Sequence, residues 1–308
     1  MSIDELKKLQ LKIIKKNKIC NLIAVIFILF ASVITFITTN IELQFFIMLF
    51  FFEIIISIII ISIIKIIVNG KNIKLFNDNF KNIFVLNALQ KKFNDIVYYS
   101  DKGFEESFVN SIGMLDTGDR YYSNDFISGT YKNIKFEQSD IHIEEKHEEK
   151  DSDGNKKIVW KTLFKGRLMI FDFNKNFRAN IQVSSVYFDA ELLPWGKKFS
   201  RIRMDDEDFN KNFCVYAQNE HEAFYILTPH FMEKLKEITK ELNCGIMFCF
   251  VDNKLHVAID NHEDSFEYNV FKIINEQEIE EKIIKDIKVI TDFVDELKLD
   301  NDLFRKVV

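Results

Sequence analysis

Two apolar stretches dominate the first quarter of the chain. The first runs from Ile19 to about Thr38 without a charged side chain, and the second from Phe45 to about Val68. A helix of roughly 20 such residues, at about 1.5 Å per residue, spans the about 30 Å hydrocarbon core of a bilayer. Only TNIELQ separates the two runs. The pattern predicts a transmembrane hairpin over 19–68, with spans at 19–39 and 45–68.

A cleaved signal peptide is the competing interpretation of the first run. It is disfavoured because the apolar stretch is too long, no small-residue cleavage site follows it, and a second apolar run comes immediately after.

Lysines predict the orientation of the hairpin. Six lysines precede the first span, more follow the second, and the connecting segment contains only Glu42. By the positive-inside rule both termini face the cytoplasm at an inner (plasma) membrane, and residues 69–308 are cytosolic. The basic flank 1–18 either lies on the inner leaflet as an amphipathic helix or is a frayed segment that only sets the topology.

One carboxylate, Glu53, interrupts the second span. It lies roughly 12 Å below the outer edge of the hydrocarbon. Ser32 and Thr35 of the first span fall near the same depth, so a neutral Glu53 can donate a hydrogen bond to one of them. These three residues form a candidate intramembrane polar site. It either fastens the hairpin or neighbouring copies by interhelical hydrogen bonds, or serves as an ion or proton site.

Beyond the spans, a helical period of apolar residues runs from Ile73 to Phe93, after which strand patterns follow. We predict strands at 126–145, 157–173, 177–188, 213–218 and 222–227, and a hairpin formed by GIMFCF and KLHVAID. The polar segment EEKHEEKDSDGNKK is predicted to be a long hairpin loop. Antiparallel strands with helices before, between and after them indicate an α+β domain.

Two further helices are predicted in this part of the chain. Thr228 is a typical N-cap, and Pro229 suits the first helical position. The last helix, at about 276–299, has Asn275 as cap, with Glu278 at the capping-box position. Its apolar residues step by four and three, which fits either a short coiled coil or packing on its own domain.

Charge and cysteine content restrict the class of protein. Residues 1–68 carry a net charge of +3 and the rest of the chain −9. An acidic soluble part argues against nucleic acid as a partner, because phosphate binding requires clustered Lys and Arg. Four cysteines without a CxxC pair are typical of reduced thiols in the cytosol.

Catalytic and metal-binding motifs are weak. His256 and Asp260 would share a face of one strand and form a possible acid/base pair, but no nucleophile accompanies them. Cys244, Cys249 and His256 offer soft ligands, yet CGIMFC lacks the usual spacing of a zinc site. The chain has no GxGxxG, P-loop, GxSxG or HExxH motif. We therefore expect neither a metal nor a cofactor.

Three blocks of the sequence resemble a bacterial membrane-protein family catalogued as domain of unknown function 3137. They are NDFISGTYKNIKFEQSDI, FKGRLMIFDFNKNF and FCVYAQNEHEAFYILTPHFMEKL. The resemblance covers roughly Ile73 to Ile259 and extends to the paired spans. After FDFNKNF the family pattern favours Gly and Thr, whereas FRANIQV stands here. The resemblance implies a bacterial inner-membrane location and supplies no reaction or catalytic residue.

The leading hypothesis is a non-catalytic module in which the hairpin anchors a cytosolic domain that binds a partner or ligand. A protein partner, or self-association through the hairpin, is expected in addition to the lipid bilayer. The alternatives are a membrane-associated enzyme of unknown reaction and a small channel or transport accessory that uses Glu53.

Overall fold

The structure is a computed structural model and describes residues 1–38, 43–150, 156–173, 178–188 and 199–299. The chain divides into two compact units. We call residues 1–87 with 268–280 the helical unit, and residues 88–267 with 281–308 the sheet unit.

Two long helices form most of the helical unit. Helix α1 spans Ile3–Thr38 and α2 spans Leu43–Phe80, followed by a π-helical turn at Lys81–Val85 and by α3 at Leu86–Lys92. The apolar stretches of α1 and α2 have mean hydropathies of 2.3 and 3.0, and only 6% of each stretch is buried. The length and composition of these helices indicate a membrane protein. The helical period after Gly70 continues α2 without a break.

The structure corrects both interpretations of the basic flank. Residues from Ile3 onward belong to the same uninterrupted helix as the first apolar stretch, so the flank is neither frayed nor bent into a separate in-plane helix. Leu6 and Ile13 are fully buried, and Gln10 is 1% exposed. The Gln10 amide donates to the carbonyls of Val270 (3.0 Å) and Lys272 (2.6 Å) and accepts from Ile274 N (3.1 Å). A tertiary partner distant in sequence therefore orders this flank.

Nine strands, all paired antiparallel, form one sheet in the described part of the sheet unit. Their order is β1-β2-β3-β4-β9-β8-β5-β7-β6. The strands are β1 Asn94–Tyr99, β2 Arg120–Tyr131, β3 Ile134–Lys150, β4 Lys156–Asp172, β5 Ile181–Ser185, β6 Ser200–Ile202, β7 Phe213–Ala217, β8 Gly245–Val251 and β9 Lys254–Asp260. Helices accompany this sheet, which confirms the α+β class.

Five helices belong to this part of the chain: α4 Glu106–Ile112, α5 Glu207–Asn212, α6 Glu220–Ile226, α7 Pro229–Leu242 and α8 Glu276–Glu296. Thr228 accepts from Phe231 N and Pro229 occupies the first turn of α7, as predicted. The β8–β9 hairpin is also confirmed. The strand predicted at 222–227 is wrong, because α6 lies there. Its N-cap Asn219 accepts from Glu222 N, and acidic residues in the first turn favour the helix over aromatic strand propensity.

The two faces of the sheet pack differently. On one face, Phe293 of α8 lies against Phe171 of β4 and Phe248 of β8, with ring centroids 6.0 and 6.2 Å apart. The apolar seam of α8 is buried on its own sheet, so the coiled-coil interpretation is wrong. On the opposite face, residues of α4 such as Val109 join an apolar cluster with Leu168 and other strand residues.

The polar segment between β3 and β4 is more ordered than predicted. Pairing continues through Lys150↔Lys156, so most of the predicted loop belongs to a two-stranded ribbon. The segment DSDGN, residues 151–155, lies outside the described residues. The guanidinium of Arg120 stacks 3.3 Å over the ring of Trp160 where this ribbon leaves the sheet.

Candidate functional sites

The helical unit brings Glu53, Ser32 and Thr35 together. Thr35 Oγ1 lies 2.6 Å from Glu53 Oε1, and Ser32 Oγ lies 3.1 Å from Glu53 Oε2. Both hydroxyls are also within hydrogen-bond distance of carbonyls one turn back in α1, at Ile28 and Ala31. The carboxyl group thus links α2 to two successive turns of α1, a geometry suited to holding two helices at one register. Its function stays a prediction.

The other hydroxyls of the second span do not extend this trio into a polar path. Ser62 is exposed and donates to Ile58 O in its own helix at 2.8 Å. Ser57 is 4% exposed and lines an apolar crevice of about 220 Å³ together with Cys20 and Ala24. Glu53 is the only ionisable acid or base among residues 21–64 apart from Glu42. A chain of proton-accepting groups across the membrane would need more of them.

The sheet unit does not join His256 to Asp260. The His256 imidazole is buried, burial lowers its pKa to about 4, and its Nδ1 has no hydrogen-bond partner among the described residues. The Asp260 carboxylate accepts from Lys165 N at 3.1 Å, and the imidazole beside it is that of His262, at 3.8 Å. Burial raises the pKa of Asp260. A histidine that stays neutral and an acid bound to backbone do not form a proton-transfer pair.

The thiols of Cys244 and Cys249 are not reactive either. Cys249 is fully buried and Cys244 partly so, and burial raises the pKa of both thiols, that of Cys244 to about 11. Within the described ranges, no three His, Cys, Asp or Glu residues lie close enough to hold a metal ion. Both thiols are therefore protonated and weakly nucleophilic at neutral pH.

A cavity lined by charges of both signs lies on the sheet. We call it the mixed-charge cavity; its volume is about 380 Å³. The lining residues are Asp95, Ser128, Gly129, Thr130, Lys135, Phe136, Glu137, Ile170, Asp172 and Lys254. Strand register explains the convergence: Ser128 pairs with Glu137, Glu137 with Ile170, and Asp172 with Lys254. Since side chains alternate along a strand, Ser128, Glu137, Ile170, Asp172 and Lys254 share the face that carries α4.

A row of buried polar side chains continues the same face beyond the cavity. Ile170 pairs with His256, His256 with Cys249, and Cys249 with Gln182. His256 Nδ1 and Gln182 Oε1 are buried without a hydrogen-bond partner among the described residues. Buried polar atoms are normally satisfied by protein, water or ligand. Hydrogen bonds within the described protein therefore do not account for the polar groups of this row.

A cluster of buried acids that was not predicted from the sequence lies on the opposite face, which α8 covers. Asp140 is 1% exposed and accepts from Ser265 N (2.5 Å) and Ser265 Oγ (2.7 Å). Burial raises its pKa to about 7 although Arg167 opposes the shift. The signal was present in IKFEQSDIHI, where Asp140 occupies the same alternating positions as Ile134 and Phe136.

Neighbouring groups complete this buried cluster. The Arg167 guanidinium donates to the carboxylate (2.5 Å) and carbonyl (2.8 Å) of Asp286. The Tyr98 hydroxyl donates to Asp125 at 2.5 Å, and burial followed by the charge of Asp125 raises the pKa of that phenol. The amide of Gln138, fully buried, has no partner among the described residues. The cluster attaches the segment after β9 to the sheet and to α8.

The comparisons with known proteins identify the family. The family model described as "Protein of unknown function (DUF3137)" matches residues 162–299. This part of the chain belongs to the family. The matched residues of the DUF3137 protein begin within β4 and extend through α8, so they include Asp172 and Lys254 of the mixed-charge cavity and the Arg167–Asp286 pair. The match begins and ends later in the chain than the resemblance noted in the sequence.

Two further comparisons add little to this assignment. The search of curated proteins found no match. The solved structure of the mycobacterial trehalose monomycolate transport factor A, TtfA, is 9% identical, with a TM-score of 0.30 over 72% of this chain and 95% of that chain. A likeness at this score carries no argument about the DUF3137 protein.

Proposed function

We propose that this DUF3137 protein is an integral protein of the inner (plasma) membrane that anchors a non-catalytic, ligand- or partner-binding sheet unit in the cytosol. The observation that carries the proposal is the apolar surface of α1 and α2. The exposed fractions of these apolar side chains lie between 57 and 74% for Ile26, Phe27, Phe30, Phe52 and Ile67. Covering one such side chain with lipid contributes about 1.5–3 kcal/mol, so water is a poor solvent for this pair of helices.

The orientation rests on lysines. The residues that flank the two spans on one side are basic, and the segment that joins the spans is not. Both termini and the sheet unit are then cytoplasmic. Three free cysteines of the sheet unit, Cys214, Cys244 and Cys249, fit a reducing compartment.

Binding is favoured over catalysis by the chemistry of the described side chains. His256 and Asp260 make separate contacts, and the thiols of Cys244 and Cys249 are protonated, so these four residues supply neither a proton-transfer pair nor an activated nucleophile. By contrast, the mixed-charge cavity offers several charged groups to a ligand. Within the hairpin, Glu53 acts as an interhelical fastener, because both of its oxygens contact hydroxyls of the same chain.

Fusion reporters test the anchoring directly. A green fluorescent protein after Val308 should fluoresce, alkaline phosphatase at the same place should be inactive, and phosphatase fused after Thr39, beyond the first span alone, should be active. The full chain should stay in the membrane pellet after carbonate extraction. Active phosphatase at Val308, or release by carbonate, would overturn the proposal.

A further inference from the structure

We infer that the mixed-charge cavity binds a small zwitterion of amino-acid size, one that carries an anionic group together with one or two ammonium groups. The inference deepens the proposed function by naming the ligand class of the binding unit. It rests on that function only in taking the sheet unit as a binding module.

Four charged side chains of the cavity have no partner within the described protein. Lys135, Glu137, Asp172 and Lys254 form no hydrogen bond or ion pair through their side chains with any residue in the described ranges, although they line one cavity. Elsewhere in the sheet unit lysines form ion pairs with acidic side chains, as Lys165 does with Asp264 at 3.1 Å. Charged groups that converge without neutralising one another are available to a ligand.

Positive and negative side chains alternate across the neighbouring strands β3, β4 and β9. Asp172 pairs with Lys254 across β4 and β9, and Lys135 lies one residue beyond the pair Phe136↔Phe171. With strands about 4.8 Å apart, the two lysines flank Asp172 at roughly 10 Å from each other. Neither a simple anion nor a simple cation suits such a row, because each would meet a like charge. A molecule with both signs can pair with lysine at one end and with carboxylates at the other.

The balance of charge favours a ligand with at least as many positive as negative groups. Three carboxylates, of Asp95, Glu137 and Asp172, face two lysines in the cavity, a net charge of −1. Asp95 is supplied by a register shift in edge strand β1 and has φ of 53°, a conformation rare for a residue other than glycine. Bulges of this kind re-aim a side chain, and here Asp95 accepts from Thr130 at 3.4 Å beside the cavity.

The volume of the cavity restricts the size of its ligand. A cavity of about 380 Å³ lies near the lower end of the about 300–1,000 Å³ typical of small-molecule sites, which suits a compound the size of an amino acid.

The test uses the full chain in detergent and isothermal titration calorimetry with three probes of similar length. L-lysine carries both signs, 1,5-diaminopentane lacks its carboxylate, and hexanoate carries only the anion. We expect L-lysine to bind and each single-sign probe to bind at least about tenfold more weakly, since each lacks a charged group that would form a charge-assisted hydrogen bond in the cavity. Lys254→Met and Asp172→Asn should each weaken L-lysine at least about fivefold.

Matched controls are Lys157→Met and Asp101→Asn, exposed residues outside the cavity, which should leave the titration unchanged. A thermal melt of each variant separates loss of binding from loss of folding. Diaminopentane binding as tightly as L-lysine would overturn the zwitterion assignment, and so would equal binding by the cavity and control variants. The absence of binding by all three probes would overturn this inference alone, because the reporter and carbonate experiments test the anchoring independently.

Discussion

Replacing Asp140 by asparagine should stabilise the sheet unit, and more so at alkaline than at acidic pH. The carboxyl group has a pKa of about 7 in the folded protein, against 3.8 for an ordinary aspartate, chiefly because it is buried. Between pH 4 and 7 the unfolded chain has released this proton while the folded chain still holds it. The unfolded state then binds fewer protons, so stability falls as pH rises through this window and levels off above it.

The magnitude follows from the shift. One pH unit corresponds to about 1.4 kcal/mol, so the raised pKa of Asp140 lowers the stability of the folded state, relative to strongly acidic pH, by about 4 kcal/mol at pH 8 and roughly 2 kcal/mol at pH 5. Asparagine carries no charge at either pH and retains an oxygen that can accept from Ser265 N, together with an amide that can donate to Ser265 Oγ. The stability advantage of Asp140→Asn should therefore be about twice as large at pH 8 as at pH 5.

Pulse proteolysis in a urea series measures this on the full chain in detergent, at pH 5 and pH 8. Asp101→Asn is the matched control, since it removes the same charge from an exposed position and should not change the urea midpoint. The reasoning would be refuted by an advantage of Asp140→Asn that is equal at the two pH values. A loss of stability at pH 8 would show instead that the ionised form is needed to hold Ser265.

Substitutions at Glu53, Gln10 and Gly166 test three separate parts of the structure. Glu53→Gln should keep the hairpin intact because the glutamine amide still reaches the two hydroxyls, whereas Glu53→Leu should destabilise the hairpin in detergent by about 1 kcal/mol. Identical thermal melts of the two variants would contradict the role of Glu53 as a fastener. Gln10→Ala removes three hydrogen bonds, so hydrogen exchange should speed up over residues 270–274, while the exposed Leu11→Ala should not alter it. Gly166→Ala would place Cβ 1.9 Å from Ile259 O, so the variant should not yield folded protein in detergent. The control Gly70→Ala meets no atom within 4 Å and should be neutral or stabilising by up to about 1 kcal/mol. Normal folding of Gly166→Ala would contradict the close approach of β4 and β9.

Local patterns were sufficient for several elements of this DUF3137 protein. The two apolar helices, the helix after Thr228 and the β8–β9 hairpin follow from periodicity, a cap and a turn, all of which act over a few residues. The α+β class follows from the succession of such elements. The sequence alone also placed Glu53 at the depth of Ser32 and Thr35, because the rise of a helix is constant and the hairpin is short.

The remaining features depend on which distant strands pair, and in what register. Lys135 and Lys254 are more than one hundred residues apart in the chain and reach one cavity only because β4 lies between β3 and β9. Likewise Asp140 looks like an ordinary polar residue until Ser265 and Arg167 enclose it. Burial and charge pairing are properties of the neighbours that folding brings together, and a one-residue shift in register would exchange them all.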